Sequence, residues 1–298
     1  MRKLVMFAFV GLAAQLVDGS LGMAYGVTSS TLLLAVGTAP AVASASVHLA
    51  EIGTSLASGV SHWRFGNVDW RVVGTMAVPG AIGAFAGATA LSSLSTESAA
   101  PWMAAVLIAL GTYIMVRFSG RAPKMRLHAP PKARFLAPLG LVAGFVDASG
   151  GGGWGPIGTS TLLSSGRLDP RKTIGSVSTS EFLVTVAASI GFLVGLGSSE
   201  IPFSVVGALL VGGVVAAPLG AWLVRHVPGR LLGIGAGGLI VFTNALTILD
   251  ALEVSPVARV AVLAVVAVAW GALLAGGVAR LRREKSAQTE EPLTATSV

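Results

Sequence analysis

Nine apolar stretches divide the chain, at about residues 4–36, 41–61, 72–94, 101–118, 135–165, 172–196, 202–224, 230–249 and 257–279. Seven are close to the ~20 residues that carry a helix across a bilayer. The first and fifth are longer, at about 30 residues each. As one straight helix each would run ~45 Å and overshoot a ~30 Å hydrocarbon core. Both are also interrupted. The first breaks at Asp18-Gly19-Ser20, the fifth at Asp147-Ala148-Ser149 and the run Gly150 to Gly153. Each predicts two short helices joined at membrane depth. Non-helical backbone survives there only if it is buried in protein or lines a cavity. The first stretch is too long, and lacks the small-residue cleavage site, for a cleavable signal peptide.

The two interrupted stretches match each other. GLAAQLVDGSLGMAYG from Gly11 lies over GLVAGFVDASGGGGWG from Gly140, pairing Asp18 with Asp147, Gly22 with Gly151 and Tyr25 with Trp154. After a one-residue insertion STLL from Ser30 matches STLL from Ser160, and Pro40, Ser46 and Glu51 match Pro170, Ser176 and Glu181. Rare acids recur in the same order, which sets the match apart from chance likeness between Gly- and Ala-rich helices. The expected organisation is a first transmembrane repeat at 1–118, a basic cytoplasmic loop at 119–134 and a second repeat at 135–249. An added transmembrane helix at 250–280 and a cytoplasmic tail at 281–298 follow.

Composition narrows the class. Hydrophobic residues make up 53% and charged residues 11%, against roughly 25% charged in a soluble domain. Mean hydropathy is +0.80. Too few polar side chains are present to cover a soluble surface, so an ordinary cytoplasmic enzyme and a disordered chain are excluded. The net charge of +7 does not indicate nucleic acid, because the basic residues sit in short loops between apolar runs. With no cysteine, disulfides and thiolate metal sites are excluded. HExxH, GxSxG and the P-loop lysine motif are absent, so neither an enzyme nor a cofactor is expected.

Charge also orients the chain. If the first and fifth stretches each cross once, the 20 basic residues split 11 to 9 between the two sides. If both are hairpins returning to their own side, 17 fall on one side. Only Arg2, Lys3 and Arg259 fall on the other. Letting only the first stretch cross gives 19 to 1, but assigns matching segments different roles. The positive-inside rule favours two hairpins over two crossings, and the repeat sets the mixed arrangement aside. The expected fold is an all-α polytopic membrane protein built as an inverted repeat. Each half is a broken re-entrant helix pair plus three transmembrane helices, and one extra helix returns the carboxyl end to the cytoplasm. Many secondary transporters share this plan.

GLVAGFVDASGGGGWGPIGTSTLLSSGRLDPRKTIGSVSTSEF resembles the glycine-rich signature of the TauE/SafE family of sulfite and organosulfonate exporters. GLAAQLVDGSLGMAYG is similar to its first-half counterpart, and the resemblance covers roughly residues 5–250. It implies a bacterial plasma-membrane exporter of a small sulfur-containing anion such as sulfite, thiosulfate or an organosulfonate. The first half departs from the pattern, with Ser20-Leu21-Gly22-Met23 where the second has Gly150 to Gly153.

The breaks carry the candidate chemistry. Gly150, Gly151, Gly152 and Gly153 permit unusual backbone, and Pro156 suits the first turn of the next helix. Free N–H groups at such a helix start bind oxygen anions without a fixed basic residue. Thr159 and Ser160 add hydroxyls one turn in; Ser30 and Thr31 are first-half equivalents. Ser20, Tyr25 and Trp154 complete the candidate substrate-binding set with Asp18 and Asp147. The alternative is that the glycines serve packing, the hydroxyls bond their own helices and the aspartates cap the following half-helices. An ionised aspartate would repel an anion, so a capping or protonated state fits better. Glu51 and Glu181, costly at depth, are candidates for proton coupling or gating, and otherwise bond across helices. His48, one turn before Glu51, is either their proton partner or a polar group satisfied inside the bundle; Ser178 at the matching position favours the second. The expected partners are the lipid bilayer, the anion and, with coupling, protons. Oligomeric state stays open. The rival to a transporter is a non-transporting assembly factor or scaffold; an aqueous cavity reaching both aspartate breaks separates the two.

Overall fold

The computed structural model describes residues 2–21, 23–120 and 131–290. Most of the expected basic loop, the end of the tail and the side chain of Ser20 lie outside what is described. The described residues form helices joined by turns, without strands. The first interrupted stretch is α1 (Arg2–Leu21) and α2 (Tyr25–Ala35). Next come α3 (Pro40–Arg64), α4 (Trp70–Ser93) and α5 (Thr96–Ser119). The second interrupted stretch is α6 (Ala133–Gly150), a π-helical turn (Trp154–Thr159) and α7 (Ser160–Ser165). It leads to α8 (Pro170–Leu196), α9 (Phe203–His226), α10 (Gly229–Ala251) and α11 (Pro256–Glu290). Five helices, α4, α5, α8, α10 and α11, are long and apolar enough to cross a membrane.

Both breaks fall later than the sequence suggests. Asp18 and Asp147 remain inside the last turns of α1 and α6. An aspartate can stay helical when its carboxylate reaches a following segment. What ends α6 is Gly151, left-handed at φ 75°, with Gly152 and Gly153 at φ 148° and 157°. Side chains rarely adopt those angles. Ordinary signals set the other starts: Pro40 and Pro170 open α3 and α8, and Asp69, Ser95 and Asp169 cap α4, α5 and α8.

Close backbone approaches fix the direction of each helix pair. Gly140 meets Met76 and Gly144 meets Gly80, so α6 runs parallel to α4. Gly175 meets Asn67, just before α4, and Gly195 meets Ser92 near its end, so α8 is also parallel to α4. Chain segment 133–165 thus leaves one end of the bundle and returns to it. Gly11 meets Leu209 and Gln15 approaches Gly213, making α1 parallel to α9. Ser58 pairs with Ser178 and His48 with Phe192, so α3 is antiparallel to α8. Segment 2–35 therefore leaves and returns at the opposite end. Small residues at these crossings let backbones pack closely, as membrane helix contacts require. By contrast, α11 rests mainly on α10. It turns Val257, Val260, Val265 and Val268 outward, the pattern of a helix bathed in lipid.

Candidate functional site

The two hairpin tips meet inside the bundle. Gly152 packs on Gly26 and Val27, Gly151 on Ser30, and Gly155 on Met23. Each tip is held by its own aspartate. Asp18 Oδ1 accepts the N–H groups of Ala24 at 2.7 Å and Tyr25 at 3.1 Å. Asp147 Oδ1 accepts the N–H of Trp154, the residue matched to Tyr25, at 2.9 Å. Both aspartates therefore make the capping contact, joining two half-helices across a break.

Asp147 has a second tie. Its Oδ2 lies 3.1 Å from Nε2 of His48, on α3 in the other half of the chain. His48 Nδ1 lies 2.8 Å from the carbonyl of Ser44. A carbonyl only accepts, so Nδ1 carries a hydrogen. Ser44 Oγ donates its one proton to the carbonyl of Ala148 at 2.7 Å. The Nε2–Oδ2 contact then holds one proton, as imidazolium with carboxylate or as neutral imidazole with carboxylic acid. The His48 ring tilts against Phe192, with centroids 5.9 Å apart, and both residues are fully buried.

Beneath the tips lies a cavity of about 310 Å³. Asp18, Tyr25, Glu51, Asp147, Gly153, Thr159 and Glu181 are on its wall. So are the first turn of α2 at Gly26 and Val27, and Gly155 and Pro156 of the other tip. From there it runs past Ser58 and Ser178 to His62 and Ile174, toward the end of the bundle where α4, α6 and α8 begin. Among the described residues neither lysine nor arginine lines it.

Other candidates sit elsewhere. Gly150 backs onto Val106, Gly151 onto Ser30 and Met103, and Gly152 onto the start of α2. Trp154 is fully buried between α4 and α8, its Nε1 donating to the Val177 carbonyl at 3.1 Å. Ser160 lies 3.4 Å from the Met23 sulfur, and Thr31 accepts from Asn244 at 2.9 Å. Ser30 is buried without a hydrogen-bond partner. His48 stands behind Asp147, off the cavity wall. Sequence reasoning missed Gln15, Ser58, Ser178 and His62. Helical spacing carried a signal for two of them: Gln15 is one turn before Asp18, and His62 one turn after Ser58. Among the described residues no cluster of His, Asp or Glu is arranged to hold a metal ion.

Known proteins share this sequence pattern. The family described as sulfite exporter TauE/SafE matches residues 7–247. A Bacillus subtilis (strain 168) protein described as "probable membrane transporter protein YtnM" is 51% identical over 252 residues, covering 84% of each chain. No solved structure matches. Both matches are to membrane transporters and not to enzymes, and the apolar helices make this a multi-pass protein of the bacterial plasma membrane. With both hairpin tips inside the matched span, the chain belongs to the sulfite exporter TauE/SafE family.

Proposed function

We propose that the protein exports a small sulfur-containing anion, such as sulfite, thiosulfate or an organosulfonate, through the cavity beneath the hairpin tips. The observation that carries this reading is the wall of that cavity. It reaches both Asp18 and Asp147 and includes the first turn of α2 and the Gly153–Pro156 turn. First-turn N–H groups have no acceptor within their own helix and favour oxygen anions. A scaffold that buries polar groups for packing alone has no need of such a space. The family name supports a sulfur oxyanion as the cargo.

The helix directions support an inverted repeat, with one hairpin entering from each face of the membrane. The end where α4, α6 and α8 begin carries Arg64, Arg71, Arg134, Arg167, Arg171 and Lys172. By the positive-inside rule it is cytoplasmic. The amino terminus is then outside, and α3, α4, α5, α8, α9, α10 and α11 make seven crossings. The cavity runs toward the cytoplasm, while His48, Phe192 and Trp154 fill the opposite side. The inside-negative potential favours anion exit by ~2.3 kcal/mol per charge per 100 mV.

Glu51 and Glu181 are the coupling groups in this reading. Asp18 and Asp147 are neutralised in part by the N–H groups they cap. The glutamates share the same small cavity as the cargo, and like charges there repel strongly. Protonation of the glutamates therefore favours anion binding and sets how flux depends on pH, while the membrane potential supplies the outward drive. The test is flux of radiolabelled sulfite, thiosulfate and sulfoacetate in vesicles with an imposed pH gradient, for wild type, Glu51→Gln and Glu181→Gln. The variants are expected to insert and bind anion but to lose most pH-driven flux. Variant flux-against-pH curves with the wild-type shape would end the coupling assignment. Absence of flux of all three anions in wild type would end the export reading.

A further inference from the structure

We infer that His62 is the anion-recognising residue at the cytoplasmic mouth of the cavity, an assignment that rests on the export reading above. A cavity that admits an anion while four carboxyl groups line it gains from a positive charge along its wall, beyond what its helix-start N–H groups supply. Among the described residues its lining holds one side chain able to supply that charge, His62, in the last turn of α3. The ring is half-buried, and its Nδ1 is buried without a hydrogen-bond partner. The protein therefore does not commit that nitrogen, unlike Nδ1 of His48, which is fixed by the Ser44 carbonyl. An imidazole changes charge near neutral pH, so an arriving oxyanion meets a donor that becomes cationic as the cytoplasmic side acidifies.

The repeat places His62 at a second meaningful position. The register that pairs Glu51 with Glu181 pairs His62 with Phe192, and Ser178 with His48. On the outer side Phe192 packs on His48 and contributes to a filled interior. The inner side has His62 and Ser178 at the equivalent places, and both line open space. Where one half has an apolar plug the other has a hydrogen-bonding, ionisable ring.

The titratable groups sharing the cavity with His62 are Asp18 from α1, Tyr25 from α2, Glu51 from its own helix, Asp147 from α6 and Glu181 from α8. The Gly153–Thr159 turn contributes none. Asp69, in the turn that follows α3, is committed to the first N–H groups of α4. Because the glutamates titrate too, the test compares variants with wild type across pH instead of reading one slope.

The experiment measures cytoplasmic-side KM and kcat for radiolabelled sulfite, thiosulfate and sulfoacetate in inside-out vesicles at pH 6 and pH 8. His62→Gln is expected to raise KM by a clearly larger factor at pH 6 than at pH 8, because the charged share of an imidazole grows as pH falls, with kcat within about twofold. His62→Arg, permanently charged, should keep a low KM at pH 6 and lower KM below wild type at pH 8. Equal KM ratios at the two pH values, or Gln and Arg variants behaving alike, overturn the assignment while leaving export intact. If wild type moves none of sulfite, thiosulfate and sulfoacetate, the export reading falls and takes this assignment with it. Should His62→Gln fail to insert, His62→Asn carries the same comparison.

Discussion

Removing either partner of the His48–Asp147 pair should cost more than removing both suggests. Asp147→Ala deletes the acceptor for the Trp154 N–H, a capping loss of ~1 kcal/mol. It also strands Nε2 of His48, which is 0% exposed, adding ~1–3 kcal/mol. The expected total is ~2–4 kcal/mol. His48→Ala leaves Oδ2 of Asp147 without its partner in a site only 4% exposed, and breaking one side of a buried pair costs ~3–5 kcal/mol. In the double variant neither stranded group remains, so the sum should overshoot the measured loss by ~1–3 kcal/mol. Asp147→Asn is the control. Its amide oxygen still accepts from Trp154, and its NH₂ donates to a neutral Nε2, so it should stay within ~1 kcal/mol of wild type. The assay is reversible unfolding in mixed micelles, followed by tryptophan fluorescence. Additive losses, with a coupling below ~0.5 kcal/mol, would refute the idea that the pair shares a proton and ties the halves together.

Two further outcomes follow from the hairpins. Cysteines introduced at Ser119 and Ser165 should both react with an impermeant thiol reagent from the cytoplasmic side; labelling of only one would contradict the return of segment 133–165 to its own side. Gly152→Leu should lose both flux and stability, because a Cβ there comes within 2.9 Å of the Val27 Cα at a φ of 148°. Flux per inserted molecule equal to wild type would show that the two tips separate freely.

The paired breaks were legible because two physical signals coincided. An apolar run too long for the bilayer, interrupted by an acid and glycines, has few folded solutions. The charge count then separated hairpins from crossings without any knowledge of packing. Three helices outside the matched motifs, α5, α10 and α11, were readable by length alone. The exact breaks were not legible, since an aspartate in a last helical turn and one in a loop look alike in sequence. The difference lies in Oδ1 reaching Ala24 or Trp154 six or seven residues on.

Side-chain destinations were harder, and the glycine run shows why. Four consecutive glycines indicate unusual backbone, but not which carbonyls or side chains stand opposite. Gly153 lines the cavity, whereas Gly152 faces the start of α2, a neighbour more than 120 residues away in sequence. Trp154 looks like a substrate-binding aromatic beside that run, yet the small residue Gly80 on α4 leaves a slot that its ring fills. The contrast between His48 and Ser178 was visible as a mismatch within the repeat and pointed to a satisfied polar group. The structure satisfies it through Asp147, 99 residues along the chain and in the other half. Repeat matching finds positions that do equivalent work; the mismatches mark where the two faces of the membrane must differ. Here they fall on His48 and Phe192, packed on each other in the filled part of the bundle, and on Ser178 and His62, which line the cavity. A transporter with identical halves would have no reason to favour one facing state. In the export reading proposed above, these four residues give the chain a reason to rest open toward the cytoplasm.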